Sequence, residues 1–275
     1  MLYLEHIAEM PLRRIVRMLW YARAPEIGHG RERILPNGCV QVILNLERDY
    51  LHDCPEDKAE TRTAPALVVG SRSVYEMVAR ADMADLIGVV FEPGWFAAFG
   101  RDAADRFTNK SFDLEDVCSA NVRAVRDQLR ASPDIRTKFR CLEGFLRERM
   151  MAEMARPESP TQAAVRYALD RFGQSPALTT VRDVARGTGW SERRFSQVFR
   201  EAVGHSPKVW CRIQRFQRAV KMLHRGGDVR WAELALDCGF YDQSHFANEF
   251  RAFSGVDATT YSTRRTMWAN HIEAE

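Results

Sequence analysis

Two apolar periods divide the chain. Val40, Val42, Leu44 and Leu46 alternate with their neighbours, the spacing of a half-buried strand. Phe139, Leu142, Phe145, Leu146 and Met150 recur at threes and fours instead, the stripe of a helix with one buried face. Residues 1–110 read as mainly β. Pro36-Asn37-Gly38 is a turn signal ahead of the alternating run. Leu67-Val68-Val69 stops at Gly70-Ser71, Val74 to Ala79 is β-prone, and Asp85 to Phe91 stops at Pro93-Gly94. Short strands with such punctuation predict a small barrel or sandwich. Residues 95–155 read as helical, over Trp95–Phe99, Val122–Arg130 and Ile135–Met154. The long stripe has two readings, packing across the barrel or pairing with a second chain. Arg156-Pro157-Glu158-Ser159-Pro160 is polar and carries two prolines, so it is the expected linker. The domains are then 1–156 and 161–268.

Beyond the linker the pattern is wholly helical. Thr161 to Phe172 is the first predicted helix, ended by Gly173. Trp231 to Ser254 then reads as helix, tight turn, helix. Cys238-Gly239 ends the first arm, because glycine takes the left-handed conformation at no steric cost. Asp242 is a good N-cap for the second. There Phe246, Phe250 and Phe253 form a buried face, and Gln243, Ser244, Ala247, Asn248 and Arg251 fall opposite. The same pattern occurs earlier, from Val181 to Gly204. Gly189-Trp190 lies fifty residues before Gly239-Phe240. Past the turn, Ser191, Phe195, Phe199 and Gly204 lie fifty-one before Asp242, Phe246, Phe250 and Gly255. Tyr241 is the extra residue. This is a duplicated helix-turn-helix unit. Between the copies, Pro207 to Arg225 forms one helix with Val209, Ile213, Phe216, Val220 and Leu223 on its buried side, stopped by Gly226-Gly227. At 1.5 Å per residue it spans roughly 28 Å, close to one turn of B-DNA, about 34 Å.

A helix with an aromatic back and a short polar front suits the major groove, where Gln and Asn pair with base edges and Arg pairs with guanine. The candidate base readers are Arg193, Ser196 and Gln197 in the first unit and Gln243, Ser244 and Asn248 in the second. The candidate phosphate contacts are Arg194, Arg200, Lys208 and Arg251. A solvated outer face on a core helix would show the same pattern in either unit alone.

These residues carry a family resemblance. Arg215, Ala219, Leu223, Ala235, Gly239-Phe240, Asp242-Gln243-Ser244-His245-Phe246, Phe250-Arg251, Gly255 and Tyr261 resemble the C-terminal signature of AraC/XylS-type transcriptional regulators. Val184-Ala185, Ser191, Phe195, Phe199 and Gly204-His205-Ser206-Pro207 match in the first unit. The resemblance covers about the last hundred residues. Asp257-Ala258 departs from the family's usual Thr-Pro, and Asn248 stands where a basic residue is common, so no known operator preference transfers. The Leu-Pro-Asn-Gly-Cys and Gly-Val-Val-Phe-Glu-Pro-Gly-Trp runs resemble the cupin-like N-terminal domain of some members. The fold class implied is α+β. A cupin-like barrel or sandwich with packed helices precedes an all-α domain of two helix-turn-helix motifs joined by a long linker helix. The partners implied are double-stranded DNA, a small-molecule effector, a second copy of the chain through the N-terminal domain, and RNA polymerase.

Charge follows this division. Residues 1–160 carry 23 Lys and Arg against 25 Asp and Glu, while residues 161–275 carry 17 against 12. A local positive field is what phosphate binding needs. The six cysteines show no C-x-x-C pair and no zinc spacing, and Cys211 and Cys238 read as small buried hydrophobes. His6, His29 and His52 are the only histidines of the first 160 residues, and none is paired as metal ligands would be. G-x-S-x-G, H-E-x-x-H and phosphate-loop motifs are absent. No cofactor, metal or enzymatic activity is therefore expected. Without a signal pattern or an apolar run of spanning length, the cytoplasm is the expected compartment. Trp20, Tyr21, Tyr75, Phe91 and Trp95 are candidate pocket liners, though core packing accounts for them as well. Three functions remain. The first is an effector-modulated, sequence-specific transcription regulator. The second is a regulator whose N-terminal domain only dimerises or binds a protein. The third is a metal or cysteine enzyme fused to a DNA-binding module.

Overall fold

In the computed structural model, which describes residues 2–24, 30–56, 59–118, 121–174 and 179–274, the N-terminal half is built of short strands. These are β1 Leu2–His6, β2 Val16–Arg23, β3 Arg31–Ile34, β4 Gln41–Asn45, β5 Leu51–Asp53, β6 Thr61–Thr63, β7 Ala66–Val69, β8 Glu76–Ala79, β9 Asp85–Phe91 and β10 Ser111–Asp113. Six of them form an antiparallel sheet in the order β1-β2-β9-β4-β7-β10, while β3 and β8 pair in a smaller sheet and β5 and β6 form a hairpin. The fold is a sandwich whose larger sheet is the middle layer.

Strand alternation explains this layering, since successive side chains point to opposite faces. Along β9, Ile87, Val89 and Phe91 join one core, which Leu129, Phe139, Leu142, Leu146 and Met150 complete from the helices. Leu86 and Val90 join another, with Trp20, Cys39 and Met83, against the smaller sheet. Both faces are covered, so β9 reads as a continuous apolar run. Two short helices, α1 Ala97–Gly100 and α2 Leu114–Val117, precede α3 Val122–Ala131 and α4 Ile135–Met154. The α4 stripe packs on the sheet: Phe139, Leu142, Leu146 and Met150 are buried within the chain, and Phe145 is partly so. Of its two sequence readings, the intrachain one holds. The helix expected over Trp95–Phe99 is shorter and later, ending in a left-handed cap at Arg101 (φ 62).

The linker is short and ordered. Ser159 and Gln162 cap the next helix reciprocally, each side chain accepting the other's backbone N–H, a capping box. The helices that follow are α5 Pro160–Gln174, α6 Val181–Thr188, α7 Glu192–Val203, α8 Pro207–His224, α9 Trp231–Asp237, α10 Gln243–Ser254 and α11 Ala258–Arg264. Gly173 does not end α5. Its cost in a helix interior, about 1 kcal/mol, is outweighed by the adjoining Phe172, which is fully buried against the rings of Phe195 and Phe199. Asp257, the departure before α11, makes its own cap by accepting from Thr260 N (2.8 Å) and Oγ1 (3.0 Å).

The chain then returns to its beginning. A last strand, β11 His271–Glu273, pairs antiparallel with β3, with His271 opposite Ile34. His271 Nδ1 lies 2.8 Å from buried Glu32, and Ile272 and Leu35 are both buried in the core of the second helix-turn-helix unit. The two halves are thus joined by residues just past the expected boundary at residue 268.

Candidate nucleic-acid interface

Each helix-turn-helix unit is fixed by a cap, a glycine and a cluster of rings. Gly189 (φ 75) and Gly239 (φ 85) occupy the left-handed conformation that the tight turns require. Ser191 accepts from Arg194 N to start α7, and Asp242 accepts from His245 N at 2.7 Å to start α10. Phe195, Val198 and Phe199 pack α7 onto Phe172 and Trp210. Phe246, Phe250 and Phe253 pack α10 onto Phe216, Phe240 and Tyr261. Burying one such ring contributes roughly 1.5–3 kcal/mol, and this sets the rotation of each helix.

That rotation sorts the predicted site residues. Arg193 and Gln197 are exposed on α7 with Ser196 half-exposed between them. Gln197 donates to Glu201 at 2.9 Å. Gln243, Ser244 and Asn248 are exposed on one face of α10 and have no side-chain hydrogen bond among the described residues. Arg194 and Lys208 are exposed, and Arg251 lies 3.8 Å from Asp257. Arg200 is already engaged: its guanidinium is 3.4 Å from Asp105 in the N-terminal half.

Lys208 also borders a cleft of about 580 Å³ between the first unit and the linker helix, with Arg182, Arg212 and Arg215. Sequence reasoning placed none of these three arginines among the DNA contacts, although Arg215 is part of the family signature. Their signal is the spacing of Lys208, Arg212 and Arg215, four and three residues apart on the linker helix. Arg212 holds Glu249 of α10 by two hydrogen bonds, 2.7 and 2.8 Å. Burial would raise the Glu249 carboxyl, but this bidentate pair and the charge of Arg212 hold it below the usual carboxylate range. The Arg215 guanidinium lies 5.8 Å from the Phe240 ring, and its Nε is buried without a hydrogen-bond partner among the described residues.

Both recognition helices end against the N-terminal half. The tight turn Ala104–Phe107 packs beside α7, where Asp105 meets Arg200 and the Thr108 hydroxyl donates to Gly204 O. At α10, Tyr75 N donates to Phe253 O (2.9 Å), and the Tyr75 ring covers Gly255. On α8, Gln217 donates to Pro36 O at 2.8 Å. Burial lowers the pKa of His205, which follows Gly204.

The five aromatic candidates do not converge on a pocket. Tyr21 and Phe91 lie in the core under the helices, Trp20 in the core under the smaller sheet, and Tyr75 at the junction with α10. Trp95 carries the Arg14 guanidinium 5.5 Å from its ring. A cleft of about 920 Å³ exists elsewhere in the N-terminal half, between the β5–β6 hairpin and β8, lined by His52, Tyr75, Glu76, Met77 and Phe112 among others. His52 is held by Asp82 (2.7 Å), and His6 by Glu143 (2.8 Å); His29 lies outside the described residues. Burial pushes the thiols of Cys211 and Cys238 up to about 11 and that of Cys54 to about 12, so they stay protonated and weakly nucleophilic at neutral pH. Among the described residues, no group of three His, Cys, Asp or Glu side chains could hold a metal, and no helix is long and apolar enough to cross a membrane.

A family model described as a helix-turn-helix domain matches residues 184–264, and a domain of unknown function, DUF6597, matches residues 4–113. No curated protein matches the chain. Among solved structures, an apo ToxT variant from Vibrio cholerae is similar at 9% identity and TM-score 0.48, over 90% of this chain and 97% of that one. ToxT of the same organism with bound unsaturated fatty acid is similar at 11% and 0.46, over 88% and 93%. The DNA-binding domain of AdpA, in complex with a target DNA, is similar at 27% and 0.33, over 38% and 91%.

Proposed function

We propose that residues 184–264, which match a helix-turn-helix family model, are an AraC-type DNA-binding domain and that the chain is a sequence-specific DNA-binding transcription regulator. Arg193, Ser196 and Gln197 read bases through α7, and Gln243, Ser244 and Asn248 read bases through α10. Arg194, Arg200, Lys208 and Arg251 contact phosphates. The observation that carries this reading is the pair of polar faces in matching phase, whose side chains are exposed apart from half-exposed Ser196 and, at Gln243, Ser244 and Asn248 of α10, make no side-chain hydrogen bond among the described residues. The 18-residue α8 between them spans about 27 Å, which supports placement in successive major-groove segments. In-vitro selection of binding sites by the full chain tests it: an enriched motif in two parts is expected, and failure to enrich any motif overturns it.

A small molecule bound by the N-terminal half modulates this activity. The cleft of about 920 Å³ supports this reading, being within the range of small-molecule sites. The effector-independent alternative is favoured by the burial of Trp20, Tyr21 and Phe91 as core. Ligand-dependent shifts in the thermal unfolding of the full chain separate the two. Dimerisation through the N-terminal half, contact with RNA polymerase, a cytoplasmic location and the absence of enzymatic activity complete the proposal.

A further inference from the structure

Both helix-turn-helix cores are built on α8, and the change from one core to the other falls at Arg212. Trp210 and Cys211 are buried in the core of the first unit, whereas Ile213, Phe216, Ala219, Val220 and Leu223 are buried in that of the second. The aromatic attachment of α10 to α8 lies at Phe216, whose ring centroid is 5.1 Å from those of both Phe250 and Phe253. Apolar burial is non-directional, so this patch fixes the distance between the helices more firmly than their crossing angle. A second attachment, directional this time, lies about one helical turn nearer the first unit. There Arg212 donates to the Glu249 carboxylate from Nε at 2.7 Å and from Nη2 at 2.8 Å. Its guanidinium also lies 5.2 Å from the Phe253 ring. The charges of His245 and Arg215 act on Glu249 more weakly than that of Arg212. Glu249 directly follows Asn248 on α10, and its counterpart in the first unit, fifty-one residues earlier, is Val198. Val198 is buried in the first core, so only the second unit places a carboxylate here.

We infer that Arg212 and Glu249 are positioning residues: they set the angle of α10 on the linker helix, and so the alignment of the second reading face with the first. A planar guanidinium paired bidentately with a carboxylate fixes direction as well as distance, which a point charge does not. If the pair is broken, α10 can turn about the Phe216 patch and carry Gln243 and Asn248 off their base edges. Arg193, Ser196 and Gln197 are spared, because α7 packs on Trp210, on the other side of Arg212. Arg212 is thereby engaged by Glu249 rather than free for a phosphate. The inference rests on the regulator reading.

The test uses the full chain on its selected site, as wild type, Arg212→Gln, Glu249→Gln, the double variant and Arg212→Lys, each checked by circular dichroism. Fluorescence anisotropy gives the affinity lost on scrambling each half of the site. Both single variants should lose about threefold or more of the discrimination in the second half and none in the first. The double variant should do no worse than either, since the same pair is broken. Arg212→Lys, which keeps the charge without the planar fork, should fall between, and it carries the test if a glutamine variant does not fold. Sites whose halves are moved one base pair closer or farther should be penalised less in the variants than in wild type. Equal loss in both halves refutes the inference, because the pair then only supports the fold. A slope of log affinity against log salt that is smaller by about 0.9 in Arg212→Gln also refutes it, because Arg212 is then a phosphate contact. A wild type that enriches no motif overturns the regulator reading and this inference with it. Variants that discriminate as well as an enriching wild type refute this inference alone.

Discussion

Asp105→Asn tests whether the N-terminal half restrains the first recognition helix. Arg200 lies three residues beyond Gln197 on the outer face of α7, and its guanidinium is 3.4 Å from Asp105, with side-chain exposures of 57% and 26%. Pairs this exposed contribute about 0–1 kcal/mol, so the fold should survive the substitution. If DNA takes Arg200 as a phosphate contact, the pair must first break, and removing it returns at most about 1 kcal/mol, or roughly fivefold tighter binding. The gain should apply to specific and scrambled duplexes alike, because phosphates carry no sequence. The assay is fluorescence anisotropy across a salt series on wild type, Asp105→Asn, Arg200→Ala and the double variant. Arg200→Ala should weaken binding and reduce the magnitude of the slope of log affinity against log salt by about 0.9. In its background Asp105→Asn should do nothing, since residues in contact are not additive. If Asp105→Asn still tightens binding without Arg200, the effect is general charge repulsion and the restraint does not exist.

Other outcomes follow from the same geometry. Arg193→Ala should lose roughly 1–3 kcal/mol of discrimination at one base, and competition between matched and mismatched sites checks it. Gln243→Ala and Asn248→Ala should relax preference over one half of the footprint with the salt slope unchanged, whereas Arg194→Ala should reduce the slope and leave preference intact. Residues 161–268 should fold and bind DNA as a monomer, but with a less stable second unit than in the full chain, because Leu35 and Ile272 of its core are missing; Leu35→Ala in the full chain should cost about 2–5 kcal/mol in urea unfolding. The Arg212–Glu249 clamp holds the Glu249 carboxyl low in the folded state, so its stabilisation is complete above the ordinary carboxylate pKa, about 4.3, and is lost as pH falls through the depressed value. Glu249→Gln should abolish that acid-dependent part of stability.

The helix-turn-helix units were legible because helical period, caps and turn glycines are all local signals: Phe246, Phe250 and Asp242 lie within one short window. β9 was legible for the same reason. β2 was not, since Val16–Arg23 is apolar without a clean period, and both its faces are covered. The pocket expected from Trp20 and Tyr21 fails on strand geometry, because neighbours on β2 point to opposite faces and enter different cores. The engagement of Arg200 by Asp105 joins residues far apart in sequence, and nothing local to either marks it. β11 is three residues, His271–Glu273, without a strand pattern of its own; its conformation comes from the β3 edge it meets. The phosphate candidates were legible as basic residues, but the cleft that gathers Lys208 with Arg182, Arg212 and Arg215 required the packing of α6 on α8.

The central claim is that two recognition helices of one chain read DNA together. Hydroxyl-radical footprinting of the full chain on its selected site, repeated with Arg193→Ala and with Gln243→Ala, tests it most directly. The account predicts two protected segments about one helical turn apart, roughly 10 bp, on one face of the duplex, with Arg193→Ala weakening only one and Gln243→Ala only the other. A single protected segment, or both variants weakening the same one, would contradict it.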